Sequence, residues 1–170
     1  MRGGNTTSDA EETGVSESRD SFSRDCRGCG RASRRVTRKT ILLMLKPELL
    51  DRVEEGAYRF CPARECRVVY FAEERSFAFT TDDLRVRVGL KARHDPIPLC
   101  YCFGFDEAQA RDEIASAGKT TIPERIAQLL KQGMCECPAR NPSGACCLGE
   151  VNKAVNRLLA EHQAECETKF

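Results

Sequence analysis

The sequence lacks the features that would place it in a membrane or send it out of the cell. No apolar run approaches the roughly 18 residues that a membrane span needs. Residues 1–25 are polar and lean acidic, without the apolar core of a secretory signal. We therefore expect a cytoplasmic protein, in which thiols stay reduced and clustered cysteines bind metal more often than they form disulfides. The odd total of 11 cysteines also fits disulfide pairing poorly.

Tryptophan is missing, and neither sign of charge is in excess. The chain has 27 Lys and Arg residues against 26 Asp and Glu residues, so its bulk charge does not favour nucleic acid or a membrane as partner. A core built from Leu, Val, Ile and a few of the 8 Phe residues is thin for a chain of 170 residues. Bound metal can compensate, because in small sites the free energy of metal binding becomes free energy of folding.

Residue sets for hydrolysis or group transfer are also lacking. The sequence has no Ser/His/Asp constellation, phosphate loop or carboxylate pair. We predict no catalytic residues, and at most a metal-ion reductase activity. Of the 2 histidines, His94 has no other ligand at a suitable spacing, and His162 continues an apolar helical stripe, so neither is assigned a role.

The sequence does contain closely spaced cysteines, in two groups, and the first group lies in the N-terminal part of the chain. Two residues separate Cys26 from Cys29, which lets both sulfurs reach one tetrahedral ion, and adjacent glycines permit the tight turn. Cys61 and Cys66 lie between two β-prone runs, as on a zinc-ribbon hairpin. These four residues predict a closed tetrathiolate site, in which zinc would be structural.

The second group occupies the two ends of a segment that reads as two helices. Cys100 and Cys102 open it, and Cys135, Cys137, Cys146 and Cys147 close it. We expect the turn from Cys100 to Cys102 and the pair Cys146-Cys147 to lie just before helix N-termini, whose N–H groups and dipoles stabilise negative charge. A [2Fe–2S] centre with four thiolates carries a charge of about −2 when oxidised. The pattern favours such a cluster, although a second zinc site would use the same ligands.

We predict an α+β fold, with a small zinc-ribbon-like β-rich half followed by an all-helical half. Residues 1–25 are a disordered tail, 26–90 the zinc subdomain, 91–98 a linker, 99–165 the cluster subdomain and 166–170 a second tail. We predict strands at 40–45, 58–61, 67–71, 76–79 and 84–88, with a short helix at 47–53. Helices are predicted at 106–117, from a capping box at Thr121, and from 148 to about 165.

The cysteine turns carry a family resemblance. Cys100-Tyr101-Cys102-Phe103-Gly104, its helix, the break at Gly118 and the Thr-x-x-Glu helix resemble the bacterioferritin-associated ferredoxin-like (BFD-like) [2Fe–2S] fold. From Cys26 to about Leu159 the chain resembles the N-terminal domain of the archaeal-type copper chaperone CopZ family. The shared signatures are Cys26-x2-Cys29, Phe60-Cys61, Cys66-Arg67-Val68-Val69-Tyr70-Phe71, Arg87-Val88-Gly89, Cys100-Tyr101-Cys102 and Asn141-Pro142-Ser143-Gly144 with Cys146-Cys147.

This resemblance implies a ligand set for each metal centre. It implies Zn²⁺ on Cys26, Cys29, Cys61 and Cys66, and [2Fe–2S] on Cys100, Cys102 and one cysteine from each later group. With Asn-Pro-Ser-Gly as the anchor, the later ligands would be Cys137 and Cys147, leaving Cys135 and Cys146 as extra thiols. Full-length family members carry a further copper-binding domain with a Met-x-Cys-x-x-Cys loop. This chain ends in a helix, and Met134-Cys135-Glu136-Cys137 lacks that spacing.

Three functions follow from these patterns. The first is an electron-transfer protein of copper or other soft-metal homeostasis, with an electron donor or acceptor protein as partner. The second is a chaperone or storage protein without a redox role, in which Cys135, Cys146 and Cys166 bind soft cations. The third is a zinc-ribbon interaction module that uses the basic stretch from Arg27 to Lys39. That stretch has no interleaved aromatics and reads more simply as a solvated face.

Overall fold

The computed structural model describes residues 24–168. The predicted disordered tail therefore lies outside the described residues, apart from Arg24 and Asp25. Asp25 forms an isolated antiparallel bridge with Ala32, just before the first cysteine.

The first half of the described chain is built on a four-stranded antiparallel sheet. Its order is β1-β2-β3-β4, formed by Arg34–Val36, Tyr58–Phe60, Val68–Ala72 and Ala78–Thr80. Phe60 pairs with Tyr70 across β2 and β3, and a bulge interrupts the register between Val68 and Tyr70 on the β4 side. The predicted strands at 58–61, 67–71 and 76–79 are thus confirmed within two residues.

One helix, α1 (Arg38–Met44), and three short 3₁₀ segments complete this half. The 3₁₀ segments are Pro47–Arg52, Thr81–Asp83 and Gly89–Lys91. The core between α1 and the sheet is formed by large buried side chains, among them Ile41, Leu45, Tyr58, Tyr70 and Phe79. Pro47 lies in the first turn of the predicted helix at 47–53, which is a 3₁₀ helix.

Two predicted strands of this half are wrong. Residues 40–45 belong mainly to α1, because the Thr37 hydroxyl caps the helix by accepting the backbone N–H of Thr40. Residues 84–88 form no strand, and Leu84 only bridges to Leu45. Short apolar runs do not by themselves distinguish a strand from a buried helical turn.

A partly buried charge cluster connects three strands of the sheet. The carboxylate of Glu73, just after β3, forms salt bridges to Arg35 of β1 and Arg59 of β2, each at 2.9 Å. The hydrogen bond from Arg35, together with the charge of Arg59, lowers the pKa of Glu73. Since the side chains of Glu73 and Arg59 are only 8% and 10% exposed, each charge needs the other.

The second half is helical but opens with a two-stranded hairpin, β5 (Pro98–Cys100) and β6 (Phe105–Asp106). Four helices follow: α2 (Glu107–Ala117), α3 (Ile122–Lys131), α4 (Cys137–Arg140) and α5 (Leu148–Glu167). The apolar stripe of α5 packs against α2 and α3, burying Ile114, Ile126, Val151, Val155 and Leu158. Residues 166 and 167, predicted as tail, continue α5.

The predicted α+β fold class, with an antiparallel sheet half and a helical half, is confirmed. The prediction of an all-helical second half needs correction for the hairpin. The predicted linker at 91–98 is partly structured, since Lys91 ends a 3₁₀ segment and Pro98 begins β5. Among the described helices, none is both long enough and apolar enough to cross a bilayer.

Candidate metal centres

The first cysteine group converges on one point. The Sγ atoms of Cys26, Cys29, Cys61 and Cys66 all lie within 4.8 Å of one another. Cys26 and Cys66 are 3.9 Å apart, and Cys29 and Cys61 are 3.6 Å apart. A tetrahedral ion with Zn–S bonds of about 2.3 Å needs sulfurs separated by about 3.8 Å. The four thiols therefore match a tetrathiolate zinc site.

Local backbone geometry brings the two pairs of this site together. The turn after Cys26 is closed by a hydrogen bond from the backbone N–H of Gly30 to the Cys26 carbonyl at 2.7 Å. A side chain at Gly28 would come within 3.3 Å of the Cys66 sulfur, so glycine allows the close approach. On the other side, Lys91 donates to the carbonyls of Ala63 and Cys66 and holds their loop in place.

The electrostatics of the first site call for a cation. Burial raises the pKa of the Cys61 thiol and also that of Cys26, so these two thiolates are disfavoured while no positive charge is present. A bound Zn²⁺ supplies that charge, and binding releases the thiol protons.

The second group is arranged differently, as two sulfur pairs. The Sγ atoms of Cys102 and Cys137 are 3.7 Å apart. Cys100 and Cys147 form the other pair: a hydrogen bond from Cys147 lowers the pKa of Cys100 to about 6, and the same contact raises the pKa of Cys147. Among residues 24–168, only the first group has three or more donor atoms mutually within 4.8 Å. The second group thus offers two ligands at each of two points.

Backbone N–H groups point at these sulfurs. Glu136 donates its N–H to the Cys102 sulfur at 3.4 Å, and the N–H of Cys147 bonds to the Cys137 thiol. Hydrogen bonds from Phe103 and Cys102 further favour the Cys100 thiolate. N–H donors around sulfur stabilise negative charge, so this environment fits an anionic group held by four thiolates.

The structure separates the adjacent cysteines by burial. Cys137 and Cys147 are each 4% exposed, whereas Cys135 is half-buried and Cys146 is exposed. The expected placement at helix N-termini holds for Cys147, which occupies the N-cap position of α5. It does not hold for Cys100 and Cys102, because β6 intervenes between their turn and α2; Gly104, with φ of 72°, turns the chain back instead.

The β half holds the loop that carries the later cysteines. The buried Tyr70 hydroxyl donates to the carbonyl of Pro142 at 2.7 Å, and the Thr40 hydroxyl donates to that of Pro138. Val36 contacts the backbone at Gly144, where an added Cβ would lie 3.3 Å away. Sequence reasoning did not assign Thr40 or Tyr70 to the site, because their partners are 98 and 72 residues away.

Tyr101 makes a further connection between the halves. Its hydroxyl accepts the N–H of Gly89 at 2.7 Å and donates to the carbonyl of Arg87 at 3.0 Å. A side chain on Gly89 would collide with the Pro98 carbonyl, so only glycine lets the two segments meet. Beside this contact, a cleft of about 690 Å³ separates the halves, and the exposed Cys146 lies on its wall.

Comparison with known proteins identifies the family. Residues 23–85 match the CopZ family model described as a zinc binding domain. The X-ray structure of the Archaeoglobus fulgidus CopZ N-terminal domain superposes with a TM-score of 0.63 at 30% identity, covering 76% of this chain and 95% of that one. The chain belongs to the CopZ N-terminal domain family. That domain's α+β fold is therefore the fold of this chain.

The curated relative is the copper chaperone CopZ of Archaeoglobus fulgidus. It is 32% identical over 123 residues, which are 72% of this chain but only 57% of the relative. The zinc-binding family match spans all four cysteines of the first site, so the prediction of a zinc-binding protein is confirmed. The individual ligands at both sites and the [2Fe–2S] cluster stay predictions.

Proposed function

We propose that this chain is a metal-binding redox protein of copper homeostasis. In this proposal Cys26, Cys29, Cys61 and Cys66 bind a structural zinc. A [2Fe–2S] cluster is held by Cys100, Cys102, Cys137 and Cys147. The observation that carries the proposal is the division of the second group into two sulfur pairs.

The pairing suits a [2Fe–2S] cluster better than a second zinc ion. Each iron of such a cluster takes two of the four thiolates, so two separate pairs are what the ligands must offer. A tetrahedral zinc needs all four sulfurs around one point, which the first group provides. The bound cluster would supply transfer of single electrons.

The surrounding residues have defined tasks in this proposal. The N–H groups of Glu136 and Cys147 stabilise negative charge on sulfur. Burial of Cys100, Cys137 and Cys147 keeps water from the ligands. The zinc centre has no open coordination position, and its role is to fold the half that supports the loop after Cys137.

Two observations support copper as the metal: the relative is named a copper chaperone, and thiols are soft ligands. Because this chain spans only 57% of that relative, copper as substrate and an electron donor or acceptor protein as partner are both part of the proposal. The cytoplasm, where thiols stay reduced, is the compartment that suits it.

The alternatives receive less support. One copper site shared by Cys146 and Cys166 does not fit the geometry, because the 19 residues of α5 from Leu148 to Cys166 span about 28 Å. The basic stretch is partly neutralised, because Arg35 pairs with Glu73 and Arg38 with Glu55, which favours the solvated reading. Cys146 alone is exposed beside the sulfur pairs, and we assign it to capture of the incoming copper ion.

Anaerobic mixing with Cu(II) tests the proposal. Protein reduced with dithionite and desalted should convert one Cu(II) to Cu(I) per chain while it loses one electron, seen as return of the oxidised visible spectrum. Cys146→Ala should slow the reaction without changing that spectrum, and Cys135→Ala serves as the control. If the protein stays reduced while Cu(II) persists, the redox role towards copper is wrong. Equal rates for Cys146→Ala would remove only the capture thiol.

A further inference from the structure

The last turn of α5 carries a third set of metal-binding side chains, remote from both cysteine groups. The Nε2 atom of His162 lies 3.9 Å from the Sγ atom of Cys166. The two residues are four apart on a helix, so they share one face. Cys166 is exposed and His162 is half-buried, which leaves the pair open to an incoming ion.

The separation of the two donor atoms suits a single bridging ion. Zinc takes thiolate sulfur at about 2.3 Å and imidazole nitrogen at about 2.0 Å, and the sum of these lengths is slightly more than the observed 3.9 Å. One ion can therefore bind both atoms in a bent arrangement without moving the helix. A thiolate with an imidazole is a donor set that favours Cu(I) and Zn²⁺ over harder cations such as Mg²⁺ or Ca²⁺.

The charges around this pair also favour a cation. Glu165 and Glu167 flank Cys166, and neither forms a salt bridge within residues 24–168. Within the described residues the last turn of α5 contains no basic residue, so no side chain of that turn neutralises the negative end of the helix dipole. Glu161, one turn earlier, is already paired with Arg157.

We propose that His162 and Cys166 form a low-coordinate binding site for a soft cation, Cu(I) in the first place. On binding, the Cys166 thiol loses its proton to solvent, and the imidazole binds in its neutral form. The site is separate from the zinc and cluster ligands, so it does not depend on the redox role proposed above. An ion bound across one turn would also fasten the end of α5.

Cu(I) titration of the full chain tests this site. The probe is Cu(I) added anaerobically as its acetonitrile complex, in competition with a colorimetric Cu(I) chelator. Zinc and iron are assayed before and after, so that displacement from the other centres is detected. The wild-type chain should bind one Cu(I) more than Cys166→Ser, and His162→Ala should bind that ion at least tenfold more weakly. Cys135→Ser is the matched control and should keep the ion.

Hydrogen exchange supplies a second readout. Cu(I) should slow exchange of the amides of residues 163–168 in the wild type but not in Cys166→Ser. The proposal is overturned if Cys166→Ser binds as much Cu(I) as the wild type, or if His162→Ala binds it equally tightly. Elution as a dimer only when Cu(I) is present would also overturn it, because Cys166 would then bridge two chains. The difference in bound Cu(I) between the wild type and Cys166→Ser tests this site whether or not a cluster is present.

Discussion

Adjacent cysteines in this chain differ more in burial than their spacing suggests. Cys135 and Cys137 are equally plausible ligands in the sequence, and only an anchor motif from a related family favours Cys137. In the structure Cys137 begins α4 and lies 3.7 Å from the Cys102 sulfur, whereas Cys135 precedes it in an irregular segment. Sequence spacing identifies a group of candidate ligands, and the fold places its members in different surroundings.

Replacing these two cysteines one at a time tests the cluster ligands. Cys137→Ser should abolish the visible spectrum of anaerobically reconstituted protein, because one of the two sulfur pairs is lost. Cys135→Ser should leave the spectrum nearly unchanged and serves as the matched control. Zinc content should stay the same in both variants. The reverse pattern of spectra would exchange the two assignments.

The first cysteine group shows how much the sequence can predict. Two short-spaced pairs flanked by glycine and β-prone runs were enough to predict the four residues that the structure brings together. Tyr70 and Thr40 could not be predicted, because each donates to a carbonyl that only the folded chain brings near. The local spacing of cysteines is enough to predict a metal site. Contacts between the two halves have no counterpart in the local sequence.

Among the elements, the start of α3 has an unexpected cap. The sequence predicts a capping box at Thr121, but its side chain forms no capping hydrogen bond. The Glu113 carboxylate of α2 instead accepts the backbone N–H of Thr121 at 3.0 Å and the hydroxyl of Thr120 at 2.6 Å. A cap supplied by the preceding helix has the same chemistry as a capping box but no fixed sequence spacing.

Removal of this cap should weaken the corner between α2 and α3. Glu113→Ala is expected to lower the free energy of unfolding at pH 7 by about 1 kcal/mol, the usual cost of a lost N-cap. Asp112→Ala, next to it and exposed, is the matched control and should cost much less. Urea unfolding followed by circular dichroism measures both, and equal losses would contradict the assigned cap.

The pH dependence of this cap has a definite sign. Hydrogen bonds from Thr120 and Thr121 and the charge of Arg125 lower the pKa of Glu113 in the folded chain. Its stabilisation is therefore present above the ordinary Glu pKa of about 4.3 and disappears as the pH falls through the lowered value. The stability difference between wild type and Glu113→Ala should narrow over that acid range. A stability difference that does not change with pH would show that the charge of Glu113 contributes nothing to the cap.

At the scale of the whole molecule, the zinc-binding half acts as a support for the second cysteine group. Tyr70 and Thr40 of the first half bond to carbonyls on both sides of Asn141, within the loop that links Cys137 to Cys147. Asn141 in turn bonds to the Ala145 carbonyl and the Ser143 N–H, so the loop is held from both sides. This contact explains how the two halves stay together as one unit.

Tyr70→Phe tests this support. The change leaves the buried Pro142 carbonyl without its donor, at a cost of about 1–3 kcal/mol, and should speed the loss of iron to a chelator while zinc is retained. Tyr58→Phe is the matched control, because the Tyr58 hydroxyl bonds to the Glu54 carbonyl within the β half. Faster iron loss in both variants would mean that general stability, and not this contact, protects the second centre.

The central claim is that one chain holds two chemically different thiolate centres. Metal and sulfide analysis of protein purified without oxygen, together with its visible spectrum, tests this claim most directly. We predict a red-brown protein with two irons, two sulfides and one zinc per chain, whose colour bleaches on one-electron reduction. A colourless, folded protein that binds two zinc ions and takes up no iron after reconstitution with iron and sulfide would contradict it.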